Sequence, residues 1–496
     1  MIVEELATQI MQTFGFVPTA DQAKATAVFS RFLLDRDGSS VMIMRGSAGT
    51  GKTSLAAAIV KTLVKLRQRV ILLAPTGRAA KVFSVNAGRP AFTIHRRIYR
   101  QKTFAGESTG FSLNDNMYHD TLFIVDEASM IANGGGGEGA VFGTGCLLDD
   151  MVSFVYGGHN CRMMIIGDMA QLPPAGEAES PALMADFMAG YGLKVYQCDL
   201  NEILRQASGS GILYNATEIR SMITHDEVTR LPKITFSGFA DIRMVPGGEL
   251  IEQLNSSYSE VGTDETIVIT RSNKRANAYN AGIRGMVLGR EEELTTGDML
   301  MVVRNNYYWT EKAAAEEKAL EDSSTGNGDG RKAESKALPF IANGDRAMVV
   351  RVRNLREFYG LHFADVWLQF PDYDNYEIMV TAVTDSLMAE APALTREQSE
   401  RLFNGVMEDY QDVPLKADRL KKVRQDPCYN ALQIKYAYAV TCHKAQGGQW
   451  AHIYVDQGYM TDDMLSPDYI HWLYTAFTRA TEKLFLVNWP KTQTEG

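Results

Sequence analysis

Cysteine is scarce in this chain, and its placement excludes a covalent or thiolate framework. Cys146, Cys161, Cys198, Cys428 and Cys442 are five in number, with no C-x-x-C spacing, which excludes a disulfide scaffold and fits a reducing compartment. The eight histidines form no H-E-x-x-H and no Cys/His spacing suited to zinc. No apolar run is long enough to span a bilayer, and the opening MIVEELATQIM lacks the basic segment of a signal peptide. A cytoplasmic protein with no membrane partner is expected. The net charge of −10 argues against indiscriminate binding to nucleic acid, which depends mainly on neutralising phosphates. One absence is local. Between positions 55 and 106 there is no Asp or Glu, while Lys61, Lys65, Arg67, Arg69, Arg78, Lys81, Arg89, Arg96, Arg97, Arg100 and Lys102 all fall there. That one-sided segment in an acidic protein is a candidate electrostatic footprint.

At 496 residues, 45% hydrophobic and 22% charged, the chain has room for three or four domains. Its chemistry is concentrated first in VMIMRGSAGTGKTS, residues 41–54. An apolar run leads into Gly46, Ser47, Ala48, Gly49, Thr50, Gly51, Lys52, Thr53 and Ser54, which complete G-x-x-x-x-G-K-[ST]. Glycines let backbone N–H groups form one concave nest at a helix N-terminus, Lys52 reaches the outer phosphates, and the Thr53 hydroxyl can ligate magnesium. ATP and Mg2+ are the cofactors expected. Upstream, Gln22 has an amide able to read an adenine edge with one donor and one acceptor, although a surface glutamine is the default for such a position. Further apolar runs at 70–76, 121–129, 162–174 and 194–200 end in polar or small residues, the mark of parallel strands with chemistry at their C-terminal ends. Asp126 and Glu127 follow one of them: one carboxylate can hold magnesium while the next polarises a water. Gln171, after another, is placed to sense a terminal phosphate or orient that water.

GSAGTGKT, LLAPTGRAAK, VDEAS and GDMAQLPP, in this order, resemble motifs I, Ia, II and III of superfamily 1 DNA helicases of the RecD/Dda-like group, AAA-type P-loop ATPases with UvrD-like C-terminal motifs. TADQ resembles that family's adenine-reading Q motif, and LNEILRQ at 200–206 its motif IV, which would make Arg205 an arginine finger. The resemblance also implies that Pro75, Thr76, Thr93 and His95 lie along a single-stranded nucleic-acid track. Residues 96–120, two short runs about a Gly/Ser/Thr centre, read as a hairpin. In the resembling family such an insertion is a strand-splitting pin, with Phe104 and Phe111 as wedge candidates here; a polar loop is the alternative.

Farther on, 265–284 reads as a strand and helix opening a second α/β unit. Residues 311–337 are charged, Gly/Ser-rich and without a packing pattern, which reads as a mobile insert. Strands at 347–354, 363–370 and 376–383 suggest a small β-barrel, in the resembling family an SH3-like accessory domain. Residues 395–426 read as solvated helix. A strand at 436–440 then runs into Thr441, His443, Lys444 and Gln446, and YAVTCHKAQG resembles motif V. That match implies nucleic-acid contacts from Thr441, His443 and Lys444, with Gln446 and Gly447 facing the nucleotide. In 471–484, Leu473, Ala476, Phe477 and Ala480 share one helical stripe and Arg479 lies off it. LYTAFTRATEKL resembles motif VI, whose arginine is a second finger.

The expected architecture is therefore α/β: two RecA-like P-loop domains with parallel sheets, a hairpin in the first and a barrel in the second. The first motor domain is expected at 1–206, the second at 207–290 with 431–496, and the inserted barrel at 291–430. The expected activity is ATP hydrolysis driving movement on single-stranded DNA and unwinding at duplex junctions, 5′ to 3′ by resemblance. RNA is a further partner the motifs do not exclude, and a translocase that displaces protein or remodels RNA without unwinding is the rival reading. A GTP switch lacks N-K-x-D, a small-molecule kinase leaves TCHKAQG and AFTRATEKL unexplained, and a passive binder has no use for Glu127. Lys52→Ala is expected to abolish ATP turnover, measured as phosphate release with and without single-stranded DNA; equal, DNA-independent turnover in the native protein would contradict a motor.

Overall fold

The apolar runs of the N-terminal half become strands of one parallel sheet. The computed structural model describes residues 2–104, 107–134, 143–202, 209–224, 230–324, 338 and 340–495. In it the chain divides into two units, Met1–Pro246 with Ala445–Gly496, and Gly247–Lys444. The six-stranded sheet of the first unit runs Ala91–Thr93, Arg69–Ala74, Thr121–Val125, Arg162–Gly167, Ser40–Gly46 and Lys194–Leu200 in spatial order. Every neighbouring pair is parallel, with Val41 opposite Met163 and Val195.

Alternate residues of each central strand serve opposite cores. Val41, Ile43, Phe123, Val125, Met163 and Ile165 belong to one cluster; Met42, Met44, Leu122, Ile124, Met164 and Ile166 belong to the other. A strand covered on both faces has no polar side, hence the continuous apolar runs. The helices Ile2–Phe14, Ala20–Leu33 and Lys52–Lys65 cover the second cluster through Ile10, Phe29, Ile59 and Leu63. Leu147–Tyr156 covers the first through Leu148, Met151 and Phe154. Each such side chain contributes about 1.5–3 kcal/mol by leaving water.

The hairpin forms, with Tyr99–Phe104 antiparallel to Glu107–Leu113. Its base is fixed by the Tyr99 hydroxyl donating to the buried Asp150 carboxylate at 2.7 Å. The first unit also carries a second parallel set, Ile242–Val245, Ala480–Val487 and Trp450–Asp456. The unit boundaries after 246 and 444 fall elsewhere than the expected breaks after 206 and 430. Helix Gly211–Thr224 packs on helix Pro467–Phe477, which keeps both segments with the first unit.

In the second unit Thr266–Thr270 pairs in parallel with Ala439–Thr441. A closed barrel is built from Met299–Val302, Arg346–Phe358, Leu361–Phe370, Tyr376–Val383 and Leu432–Tyr436. The expected strand at 436–440 is thus two strands: Tyr436 ends the barrel's last strand, and Ala439 begins a strand of the parallel pair. One apolar run spans both because each half is buried in its own sheet. The insert at 311–337 also differs from expectation, since Tyr308–Ser324 is helical; its Ala, Glu and Lys content has high helix propensity, and 325–337 lie outside the described residues. At 395–426 two helices form, Arg396–Asp409 and Lys416–Arg424. They are more than solvated surface: Leu402, Val406 and Val423 pack against Leu361, Phe363 and Val383 of the barrel. Among the described residues no helix is long and apolar enough to cross a membrane.

Asp298, fully buried, holds the barrel's first strand in place. It accepts from Arg284 Nε at 3.0 Å, Arg290 Nη1 at 2.7 Å and the Tyr438 hydroxyl at 3.0 Å. Asp298→Ala leaves Arg284 buried without its carboxylate and is expected to destabilise this unit by about 3–5 kcal/mol, read as a lowered midpoint in thermal or urea unfolding. An unchanged midpoint would show the cluster to be dispensable.

Candidate nucleotide-binding site

The loop after the strand Ser40–Gly46 is shaped by left-handed backbone at Gly49 (φ 77°) and Gly51 (φ 79°), a region glycine enters at little cost. A Cβ at Gly46 would lie 2.9 Å from both Leu200 Cβ and Thr50 Oγ1, so a side chain there would push the loop off the sheet. Helix Lys52–Lys65 starts at Gly51 with no side-chain cap and no acidic residue in its first turn. Its first N–H groups are therefore left for a ligand, and an anion is the ligand a helix N-terminus favours. Lys52 Nζ donates to the carbonyls of Gly46 at 2.5 Å and Ser47 at 2.8 Å. Thr53 is partly exposed and Ser54 exposed beside it. Gln22 is fully buried and not a surface residue. Its Oε1 accepts from Thr19 N at 3.0 Å and its Nε2 donates to Thr50 O at 2.9 Å, tying the start of helix Ala20–Leu33 to the loop.

Three predicted residues converge beside the loop. Arg479, 2% exposed, donates through Nη1 to Glu127 Oε1 at 3.2 Å and to Gly448 O at 3.3 Å. With the Gln171 amide oriented to satisfy both its ends, its nitrogen donates to Glu127 Oε2 at 3.2 Å and its oxygen accepts from Arg479 Nη2 at 2.8 Å. Glu127 adopts φ 52°, a left-handed conformation costly for a side chain of this size and typical of functional positions. Its backbone N–H donates to Asp126 Oδ1 at 2.9 Å. Burial, and then the neighbouring Glu127 charge, push the Asp126 carboxyl pKa up from its ordinary value, against the pull of Lys52 and Arg479. A carboxyl under that strain is one that a divalent cation relieves. The Arg479 Nε is buried without a partner among the described residues, as fits a donor awaiting an anion. The residues present thus fit a nucleoside triphosphate, with Thr53 and Asp126 the pair able to hold its magnesium.

Sequence reasoning passed over several residues that complete the site. The Tyr474 hydroxyl accepts from Ala48 N in the loop at 3.0 Å and donates to Asp168 Oδ2 at 2.6 Å. Burial and Asp168 hold its pKa well above the ordinary tyrosine value, so it stays a donor. His471 bonds to Ala170 O at 2.9 Å, and Leu172 N donates to Thr475 Oγ1 at 2.8 Å. Arg220 donates to Ser47 Oγ at 2.8 Å. For Tyr474 a signal existed, its place in LYTAFTR; a lone arginine on a helix gives none.

Gln446 donates to Leu172 O at 2.6 Å, next to Gln171. Gly447 (φ 72°) lies against Thr76: a Cβ there would be 2.9 Å from Thr76 Oγ1. Pro75 and Thr76 follow the strand Arg69–Ala74, and Thr76 and Thr93 cap helices by accepting from Ala79 N at 3.2 Å and Arg96 N at 3.3 Å. His95 is half-buried against Tyr99, with ring centroids 5.6 Å apart, and burial pushes its pKa down to about 4. It is therefore neutral at physiological pH. Thr441 is the last residue of the parallel pair in the second unit, opposite Thr270, and His443 and Lys444 follow it; His443 is exposed, and Lys444 bonds to Asn343. Burial lowers the Lys444 pKa. Phe104 ends the first hairpin strand opposite Glu107, and Phe111 packs partly buried against the core of the first unit. Arg205 lies outside the described residues.

Comparison with known proteins adds two family matches. A model described as an AAA domain matches residues 35–177, and one described as a UvrD-like helicase C-terminal domain matches residues 436–487. The chain is 26% identical to the ATP-dependent DNA helicase dda of Enterobacteria phage T4 over 265 residues, 52% of this chain and 55% of that one. It is 30% identical to the ATP-dependent RecD2 DNA helicase of Deinococcus radiodurans over 180 residues, 36% of this chain and 21% of that one. The matches thus span about half the first relative's length and a fifth of the second's. Among solved structures, the Pif1 helicase from Bacteroides in complex with ADP-AlF3 and ssDNA aligns over 97% of this chain and 95% of that chain, at 15% identity and a TM-score of 0.45.

Two substitutions test the cluster. Glu127→Gln keeps the shape and removes the carboxylate; ATP turnover is expected to fall roughly 10²–10⁴-fold with nucleotide binding retained. Arg479→Ala is expected to retain binding and lose turnover by roughly 10³-fold or more. Steady-state phosphate release and equilibrium nucleotide binding check both, and lost binding with intact turnover would remove these residues from the chemistry.

Proposed function

We propose that this chain, a superfamily 1 protein of the RecD/Dda type by its matched domains and relatives, is an ATP-driven helicase. It would move along single-stranded DNA, 5′ to 3′, and open duplex junctions. The observation that carries the reading is the cluster of Glu127, Gln171 and Arg479 beside the phosphate loop. Phosphoryl transfer to water needs mainly positioning and charge stabilisation. Glu127 takes the proton of an attacking water, Gln171 orients that water, and Lys52 and Arg479 stabilise the charge that develops on the phosphate. Thr53 and Asp126 would hold magnesium, which supplies further neutralisation of phosphate charge. Glu127 is spent on Arg479 in this arrangement, so the base becomes available only as Arg479 turns to phosphate. Hydrolysis is thereby conditional on a bound triphosphate.

We read residues 207–290 with 431–496 as the second motor domain, Arg205 as a further finger, and Gln446 and Gly447 as facing the nucleotide. Pro75, Thr76, Thr93, His95, Thr441, His443 and Lys444 form the DNA track on this reading. The hairpin at 99–113 is the feature that favours unwinding over translocation alone, with Phe104 and Phe111 its wedge candidates. The unpaired cysteines support a reducing, cytoplasmic setting.

Unwinding of duplexes bearing only a 5′ or only a 3′ tail, in DNA and RNA versions, tests activity, polarity and substrate together. A 5′-tailed DNA duplex is expected to open and the 3′-tailed one to remain closed. Replacing residues 102–116 by a short Gly/Ser turn is expected to keep DNA-stimulated hydrolysis and lose unwinding; intact unwinding would move the wedge elsewhere.

A further inference from the structure

We propose that Arg220 is a terminal-phosphate-binding residue of the nucleotide site, which exchanges the Ser47 hydroxyl for a phosphate oxygen when a nucleoside triphosphate is bound. The proposal rests on the ATPase reading and extends it to a residue outside every motif singled out in the sequence.

Arg220 projects from helix Gly211–Thr224. Its Nη1 donates to Ser47 Oγ and its Nη2 to Asn201 Oδ1, both at 2.8 Å. Asn201 immediately follows the strand Lys194–Leu200, which pairs with the strand leading into the loop. Its own N–H donates to Asp21 Oδ2 at 2.7 Å, so the acceptor that aims the guanidinium is itself held.

Ser47 is 3% exposed, and a second cation meets the same residue. Lys52 Nζ donates to the Ser47 carbonyl at 2.8 Å while Arg220 takes the hydroxyl. Among the described residues none of the hydrogen-bond partners of these two cations is a carboxylate. Two like charges converging on one small neutral residue, in a loop whose backbone already favours an anion, gain most from a ligand of high negative charge. A guanidinium bonds a phosphate more strongly than a hydroxyl, because the interaction is charge-assisted and its fork matches phosphate geometry. The hydroxyl is therefore a resting partner that a phosphate displaces.

Arg220 and Arg479 approach by different routes. Arg479 arrives through Glu127 and Gln171, on the side of the attacking water; Arg220 arrives through the loop itself. Helix Gly211–Thr224 packs on helix Pro467–Phe477, whose Tyr474 holds the next loop residue, Ala48. The paired helices thus grip two consecutive loop residues, one with a neutral hydroxyl and one with a charge.

The test is equilibrium binding of mant-ADP and of the non-hydrolysable mant-AMPPNP to the full chain, comparing the native protein with Arg220→Gln and Arg220→Lys. Glutamine keeps a donor for Ser47 and removes the charge. Arg220→Gln is expected to weaken the triphosphate on the order of tenfold and the diphosphate less than about twofold, with lysine in between. Equal losses for both nucleotides, or no loss for either, would overturn the assignment, the first by showing that Arg220 only shapes the loop. Should the glutamine variant fail to fold by circular dichroism, Arg220→Lys carries the same comparison: a triphosphate-selective loss supports the proposal and a uniform change overturns it. A native protein that binds neither nucleotide would remove the ATPase reading itself, an outcome distinct from the others.

Discussion

The contact between Arg479 and Glu127 is the constraint on which the site depends. A guanidinium this deeply enclosed is tenable only when its charge is met. Meeting it requires the end of the strand Thr121–Val125, the loop carrying Gln171 and the carbonyl of Gly448 to arrive together. The carbonyl of Arg479 accepts from the N–H of Trp450 at 3.0 Å, the residue that begins the strand Trp450–Asp456. One arginine therefore joins the Glu127 carboxylate to the backbone of a second sheet. The left-handed turn at Glu127 is local strain that these partners outweigh.

The loop at 168–172 is clamped in a similar way by one face of one helix. His471, Tyr474 and Thr475 stand at i, i+3 and i+4 on helix Pro467–Phe477, a spacing that sets them side by side. They bond in turn to Ala170 O, Asp168 and Leu172 N. Because Tyr474 also holds Ala48, a shift of this helix disturbs both the loop that positions Gln171 and the loop that cradles phosphate. The helix preceding Arg479 thus links the two loops mechanically.

Much of this was legible in the residues, for physical reasons that differ by element. The parallel sheet was readable because a strand buried on both faces has no polar alternation, as 41–44 and 163–166 show. The phosphate loop was readable because its chemistry tolerates few substitutions. The burial of Gln22 is not legible in the sequence, since an amide that caps its own helix and bonds a distant carbonyl looks there like any polar residue. The stretch 436–440 reads in sequence as one strand although it spans the end of one strand and the start of another, because periodicity cannot register a change of sheet within a buried stretch. The helix Tyr308–Ser324 was missed because its charge was weighed above its propensity. Arg479 lay off the apolar stripe and is nonetheless buried: a stripe identifies what packs through oil and is blind to what packs through charge.

The basic segment at 55–106 reads differently once its side chains are placed. Arg97 lies over the rings of Phe92 and Tyr118, Arg78 lies over Trp450 and donates to Gln449 O, and Arg100 pairs with Asp115 at 3.0 Å. Lys65 and Arg67 stand at the far end of the 14-residue loop helix, which at 1.5 Å per residue is about 20 Å from the phosphate loop. They lie before the N-terminal end of the strand Arg69–Ala74, whereas Thr76 and Thr93 lie at the C-terminal ends of that strand and of its neighbour Ala91–Thr93, so the segment is no single stripe of charge. In the proposed track the two threonines contribute otherwise. Each hydroxyl accepts a helix-capping bond and keeps its own O–H to donate, the polarity that a phosphodiester oxygen requires. A track built from such oriented neutral donors, with few mobile cations, grips a strand without the strong salt-dependent attraction of a basic groove, and that is compatible with a protein of net charge −10.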